Sequence, residues 1–225
     1  MSLALVRERI VTCRRCPWLR TYCERIAREK KAAHRDEIYW GKPVPGFGDP
    51  RARMFILGLA PAAHGANRTG RVFTGDGSGD FLMSSLHRAG FANLPTSRSA
   101  GDGLALRDAY IAAAVRCAPP DNKPTTQEIA TCRVHLEEEL SELPRVRVVV
   151  ALGSVAFDAY WKMLAARRLR PTPRPSFGHG ARCEPGRGPA VIASYHPSRQ
   201  NTNTGRLTPE MLDEVFRAAR QILAR

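Results

Sequence analysis

The chain is short of negative charge. Its 225 residues carry 21 aspartates and glutamates against 35 lysines and arginines, a formal net charge of +14. Such a surface suits a polyanionic partner, of which nucleic acid is the simplest. Most of the basic residues are arginines. Codon bias in a GC-rich genome would favour arginine over lysine, but it does not explain the excess of positive over negative charge. No run of eighteen apolar residues occurs, so no membrane span is expected. The first residues, MSLALVRERIVTCRRC, place arginines where a secretion signal needs an apolar core. A cytoplasmic protein is expected. No GxxxxGK[ST] stretch is present, which removes the usual cradle for a nucleotide triphosphate. There is no internal repeat. The length fits a single domain over residues 1–225, with a core that needs no disulfides.

Four short apolar runs read as buried strands: 54–58, 110–116, 146–153 and 190–195. Helical patterns follow each of them, at 81–89, 126–143, 154–164 and 208–224. Ser154 is placed to cap the third helix. Thr208 caps the fourth, with Pro209 at its first helical position. Alternating strands and helices predict an α/β fold, a parallel sheet with helices on both faces. The stretch 169–189, with its prolines and glycines, reads as a loop before the last strand.

Six cysteines sit at 13, 16, 23, 117, 132 and 183. In a cytosolic protein grouped cysteines suggest metal or redox work rather than disulfides. Cys13 and Cys16 form a CxxC, and Cys117 and Cys132 make a second, wider pair. Together they are candidates for one tetrathiolate site, for which spacing alone leaves zinc and an iron–sulfur cluster equally open. Cys23 and Cys183 have no partner at ligand spacing and read as bystanders.

In open parallel sheets ligands bind at the carboxyl ends of the strands. Three loops at that edge are polar. GLAPAAHGANRTGRVFTGD follows the first strand; its glycines permit close backbone approach to a flat ligand, and its only acid is Asp76. Phe73 could stack on a base or pack under the loop. Asp76 stands where a helix N-cap is expected. CAPPDNKPT follows the second strand, stiffened by proline, with Asn122 either a turn residue or a group aimed at the site. SYHPSRQNTNTGRLT follows the fourth. It offers His196 and then Ser198, Arg199, Gln200 and Asn201 with no acid nearby, donors suited to phosphates and base edges.

These motifs, together with CRRCPWLR, PVPGFGDP and ALG, resemble the uracil-DNA glycosylase superfamily over nearly the whole chain, and specifically its iron–sulfur-containing family 5. The resemblance implies a three-layer α/β/α sandwich with a four-stranded parallel sheet. It implies a monofunctional DNA glycosylase that flips a damaged base out of double-stranded, or also single-stranded, DNA. It further implies a monomer at the nucleoid and a structural [4Fe–4S] cluster on Cys13, Cys16, Cys117 and Cys132, with zinc the alternative. Asp76, Asn122 and His196 would be catalytic. Ala63, His64 and Phe73 would hold the base, and Ser198 to Asn201 would enter the minor groove. Related family 4 enzymes carry a glutamate where this chain has Leu59, and a uracil-reading asparagine where it has Ala113. The second change implies a wider pocket, open to uracil and also to hypoxanthine or other deaminated bases. The alternatives are a family 4-like enzyme restricted to uracil and a DNA-binding relative without catalysis. Glycoside hydrolysis usually uses two carboxylates, yet a uracil anion leaves readily enough for Asp76 alone to suffice.

Overall fold

The computed structural model describes residues 2–169, 175–184 and 188–225. Its elements run α1 (Leu3–Val11), α2 (Pro17–Glu29), β1 (Phe47–Gly48), β2 (Met54–Gly58), α3 (Ala66–Thr69), α4 (Gly77–Arg88), β3 (Ala109–Ala113), α5 (Thr126–Ser141), β4 (Val148–Leu152), α6 (Ser154–Ala166), β5 (Arg182–Cys183), β6 (Ala190–Ser194), α7 (Arg199–Asn203) and α8 (Pro209–Ala224).

The strands β3, β2, β4 and β6 lie side by side and parallel. Their sequences are apolar throughout because both faces are covered. Alternation sorts the side chains. Met54, Ile56, Ile111, Val148, Val150 and Ile192 meet Leu82, Leu86 and Phe216 from α4 and α8 on one face. Phe55, Leu57, Tyr110, Val149 and Val191 meet Leu136, Phe157 and Tyr160 from α5 and α6 on the other. The expected α/β class and its three layers hold.

Among the described residues the sheet has six strands, however, and is not purely parallel. β1 pairs with β3 and β5 pairs with β6, both antiparallel and each two residues long. Segments so short carry no alternation to read. The expected strands at 110–116, 146–153 and 190–195 also end early, at Ala113, Leu152 and Ser194. Beyond Ala113 the backbone turns into a loop although Ala114 and Val115 stay apolar and buried, and beyond Leu152 only Gly153 separates the strand from α6. The helix expected at 81–89 starts at Gly77, because Asp76 caps it by accepting from Gly79 N–H at 3.0 Å. Thr208 caps α8 as expected. Ser154 does not cap α6: Gly153 holds that position at φ 97°, and no side chain bonds to the first turn. Residues 170–174 and 185–187 of the expected loop at 169–189 lie outside the described residues, and the remainder includes β5.

Candidate active site

Parallel register puts Gly58, Ala113, Leu152 and Ser194 at one edge of the sheet. The loops that follow them therefore meet there. The order β3-β2-β4-β6 reverses direction at β2, which is where such sheets open a crevice. A cavity of about 210 Å³ opens at this edge, walled by Leu59, Gly153, Phe177, Tyr195, His196 and Arg206, among others. The uncapped first turn of α6 forms one side of it. Arg206 lies over the Tyr195 ring at 4.8 Å, a cation–π contact that holds the loop after β6 against the cavity.

The structure gathers most of the expected residues. The rings of Phe73 and His196 stand 5.8 Å apart. Phe73 has φ 50°, an unusual conformation for an aromatic residue, and packs across Gly58. A Cβ at Gly58 would come within 2.7 Å of that ring, so only glycine fits there. Asn201 Nδ2 donates to the His196 carbonyl at 2.8 Å, and Ser198 caps α7 by accepting from Asn201 N–H. Arg199 lies against Gly77, next to Asp76. Asn122 stands apart. It is exposed at φ 56° and makes no hydrogen bond through its side chain to another described residue.

Asp76 has one oxygen committed to its helix cap. The other lies against Gly65, where even a methyl group would overlap it. Burial pushes the Asp76 carboxyl above its ordinary range, opposed by the Gly79 and Ser78 N–H groups and by Arg199. His196 is surrounded by protein, though part of it reaches solvent. Burial lowers its pKa to about 4. It is a neutral imidazole at pH 7, and its ring makes no hydrogen bond to another described residue. An acid kept ready to accept and a neutral donor with nothing to donate to are both fitted to a ligand between the loops.

Other side chains, not singled out from sequence, hold this geometry. Arg68 donates to the carbonyls of His64 and Gly75, both at 2.8 Å, and pairs with Glu37. It ties the beginning of the first loop to its end. His64 Nδ1 meets the Tyr39 hydroxyl at 3.1 Å, and Ala63 accepts from Asn67 through its carbonyl. Behind the loop Arg71 donates to Thr74, Ser97 and Asp102, while Gly75 N–H donates to the Ser97 carbonyl. Burial raises the Asp102 pKa, but the Leu104 N–H, the Arg71 guanidinium and the Arg98 and Ser99 N–H groups outweigh it and hold it at about 2. Stability from Asp102 is present above its unfolded pKa and lost as pH falls toward 2. Asp102→Asn strands the buried Arg71 charge. Some of the penalty is screened, and about 2 kcal/mol of destabilisation is expected. Urea denaturation at pH 7 measures it, and an unchanged midpoint would show that solvent already carries the Arg71 charge.

The four paired cysteines also come together. Cys13, Cys16, Cys117 and Cys132 line one small cavity between α2, the loop after β3 and α5, with Arg116 and His135. Among the described residues no three His, Cys, Asp or Glu side chains stand close enough to hold a single metal ion. Cys23 does not line this cavity, but it packs close by. It is buried beside this site, and its sulfur accepts from Ala118 N–H at 3.2 Å. Its hydrogen bond to Cys117, together with burial, raises the Cys117 pKa. Burial likewise pushes Cys132 up to about 12. Cys183 lies elsewhere, on β5.

A sequence model of the Uracil DNA glycosylase superfamily matches residues 45–220. The chain belongs to the uracil-DNA glycosylase superfamily. The Type-5 uracil-DNA glycosylase of Thermus thermophilus is 51% identical over 215 residues, covering 96% of this chain and 95% of that protein. The Mycobacterium tuberculosis Type-5 uracil-DNA glycosylase is 49% identical over 222 residues, covering 98% and 82%. A Type-4 uracil-DNA glycosylase of Thermotoga maritima is 30% identical over 158 residues, 69% of each chain. Within the superfamily the likeness to Type-5 proteins is both greater and longer. No helix among the described residues is long and apolar enough to cross a membrane.

Proposed function

We propose that this protein is a DNA repair glycosylase that hydrolyses the bond between uracil and deoxyribose. The observation that carries the reading is that Phe73 and His196 face each other 5.8 Å apart at the switch point of a superfamily sheet, with buried Asp76 beside Arg199 of the same loop as His196. The target bond is inaccessible within stacked DNA, so the nucleotide must turn out into the site. Phe73 stacks on the extruded base, and Ala63 and His64 wall it. The residues from Ser198 to Asn201 follow the backbone and minor groove. His196 donates a hydrogen bond from its neutral ring to the departing base, where negative charge develops. Asp76 orients water and stabilises the cationic sugar. Asn122 joins them once its loop closes on DNA. A monomer acting at the nucleoid, on duplex and also single-stranded DNA, completes the reading.

Ala113 is 2% exposed and brings only a methyl group to the end of β3. No side-chain amide there selects uracil. We therefore expect hypoxanthine and other deaminated bases to be released too. Flipping costs less at a mismatch, so pair weakness contributes to selection. The test is base release from one duplex with uracil opposite guanine and another with hypoxanthine. Release from both is expected. Release of uracil alone would remove the wide-pocket argument, and binding without release from either would remove the catalytic reading.

The donor set fits a [4Fe–4S] cluster. Four thiols line one cavity, and unpartnered buried nitrogens of Arg116 and His135 line it too. Cys13, Cys16, Cys117 and Cys132 would hold the cluster, which supplies a structural cross-link when bound. Through Cys117 it braces the loop leading to Asn122.

A further inference from the structure

Arg116 is 1% exposed, among the most deeply buried large side chains of the protein. A buried guanidinium is costly unless its charge is paired and its N–H groups are met. Half of that requirement is satisfied. One terminal nitrogen donates to Glu139 Oε2 at 2.6 Å. Glu139 Oε1 accepts from Gly46 N–H at 2.8 Å and from the Tyr110 hydroxyl at 3.2 Å. The Nε and the other terminal nitrogen of Arg116 are buried and reach no acceptor. His135, three residues after Cys132 on α5, is in the same condition. It is 4% exposed, and neither ring nitrogen has a hydrogen-bond partner. Its Nδ1 faces Glu138 Oε2 at 3.5 Å without hydrogen-bond geometry. Both residues line the cavity of the four paired cysteines.

Orphaned donors of this kind are rare in native proteins, because each forfeits its hydration for nothing. Here they share a cavity with four sulfurs. The acceptor they lack is therefore an anionic group held by those sulfurs. We propose that Arg116 and His135 donate hydrogen bonds to the group bound by Cys13, Cys16, Cys117 and Cys132, and that Arg116 offsets its negative charge and so sets its reduction potential. This rests on the iron–sulfur reading above. Net charge and hydrogen bonds to sulfur are the main protein controls on the potential of such a cluster. Positive charge and donors favour the more reduced state. The Arg116 backbone already contributes one such bond, from its N–H to Cys132 Sγ at 3.3 Å. Glu139 then has a second task. It holds the guanidinium in place and tempers its field.

The test uses the whole protein, purified without oxygen and with its iron retained. Three variants are compared with wild type by iron content, circular dichroism and cluster midpoint potential at an electrode. Arg116→Gln/Glu139→Gln removes both charges and keeps a polar pair, and its potential is expected to fall. Glu139→Gln alone leaves the guanidinium unopposed, and its potential is expected to rise. His135→Leu removes one donor on the cavity wall and is expected to lower the potential even where the double variant folds poorly. Opposite shifts in the first two cannot come from a purely structural brace. Unmoved potentials in folded variants with full iron would overturn this inference alone. Zinc in place of iron in wild-type protein would overturn the cluster reading and this inference with it.

Discussion

Asparagine in place of Asp76 is expected to give a folded, DNA-binding and nearly inactive protein. Aspartate and asparagine cap helices about equally well. The bond from Gly79 N–H to the residue 76 side chain therefore survives, and α4 begins where it does now. Only the charge is lost. If the carboxylate activates water and faces the sugar cation, single-turnover base release should fall about 10²–10⁴-fold. Melting temperature and affinity for uracil-containing duplex should change little. The wild-type pH profile checks the same group. Burial raises the Asp76 pKa, so the rate should be full at neutral pH and decline as pH falls, beginning above the range of an ordinary aspartate. Gly65→Ala offers a control without charge change, since the added methyl displaces the free carboxylate oxygen. Normal rates in Asp76→Asn would move the chemistry to His196 and Asn122.

Loss of the His196 imidazole should be nearly as damaging. Removing one preorganised donor to developing negative charge costs about 10²–10³-fold in kcat, and that is the loss expected for His196→Ala in single-turnover release. A second readout is independent of catalysis. The unfolded chain takes up a proton on this histidine near its ordinary pKa, while the folded chain refuses it until about 4. Stability therefore falls as pH drops below the unfolded value, because the unfolded state binds the additional proton. Between pH 7 and 5 the contribution is on the order of 2 kcal/mol. Urea midpoints should drop further in wild type than in His196→Ala over that interval. Parallel pH dependence in the two proteins would mean that the ring is better hydrated than its surroundings indicate.

Much of this architecture is visible in the chain because burial on both faces makes the four central strands plainly apolar. The helices that pack on them announce themselves by their caps. Thr125 with Glu128 forms a complete capping box, and Thr208 precedes Pro209. The first two helices do not read so easily. Each buries only two residues, Val6 and Ile10 in α1 and Leu19 and Cys23 in α2, under a charged surface. The loops suggested a site, and the sheet edge collects them, but what holds them is illegible locally. Arg68 bridges two carbonyls, and Arg71 reaches a carboxylate 31 residues away. Both look in sequence like members of a basic surface, yet they are buried structural cations. Part of the positive charge thus never faces a polyanion. Cys23 shows the same limit in reverse, since its neighbour Ala118 is 95 residues distant.

The two-residue strands at the margins of the sheet bear on how copies of this protein coexist. A long bare margin would let one molecule extend its sheet through another. Here β1 and β5 turn antiparallel and end after two residues. They leave a visiting strand almost no backbone to grip. A polyanion can concentrate many basic molecules along its length, and this sheet gives crowded neighbours little means of knitting together.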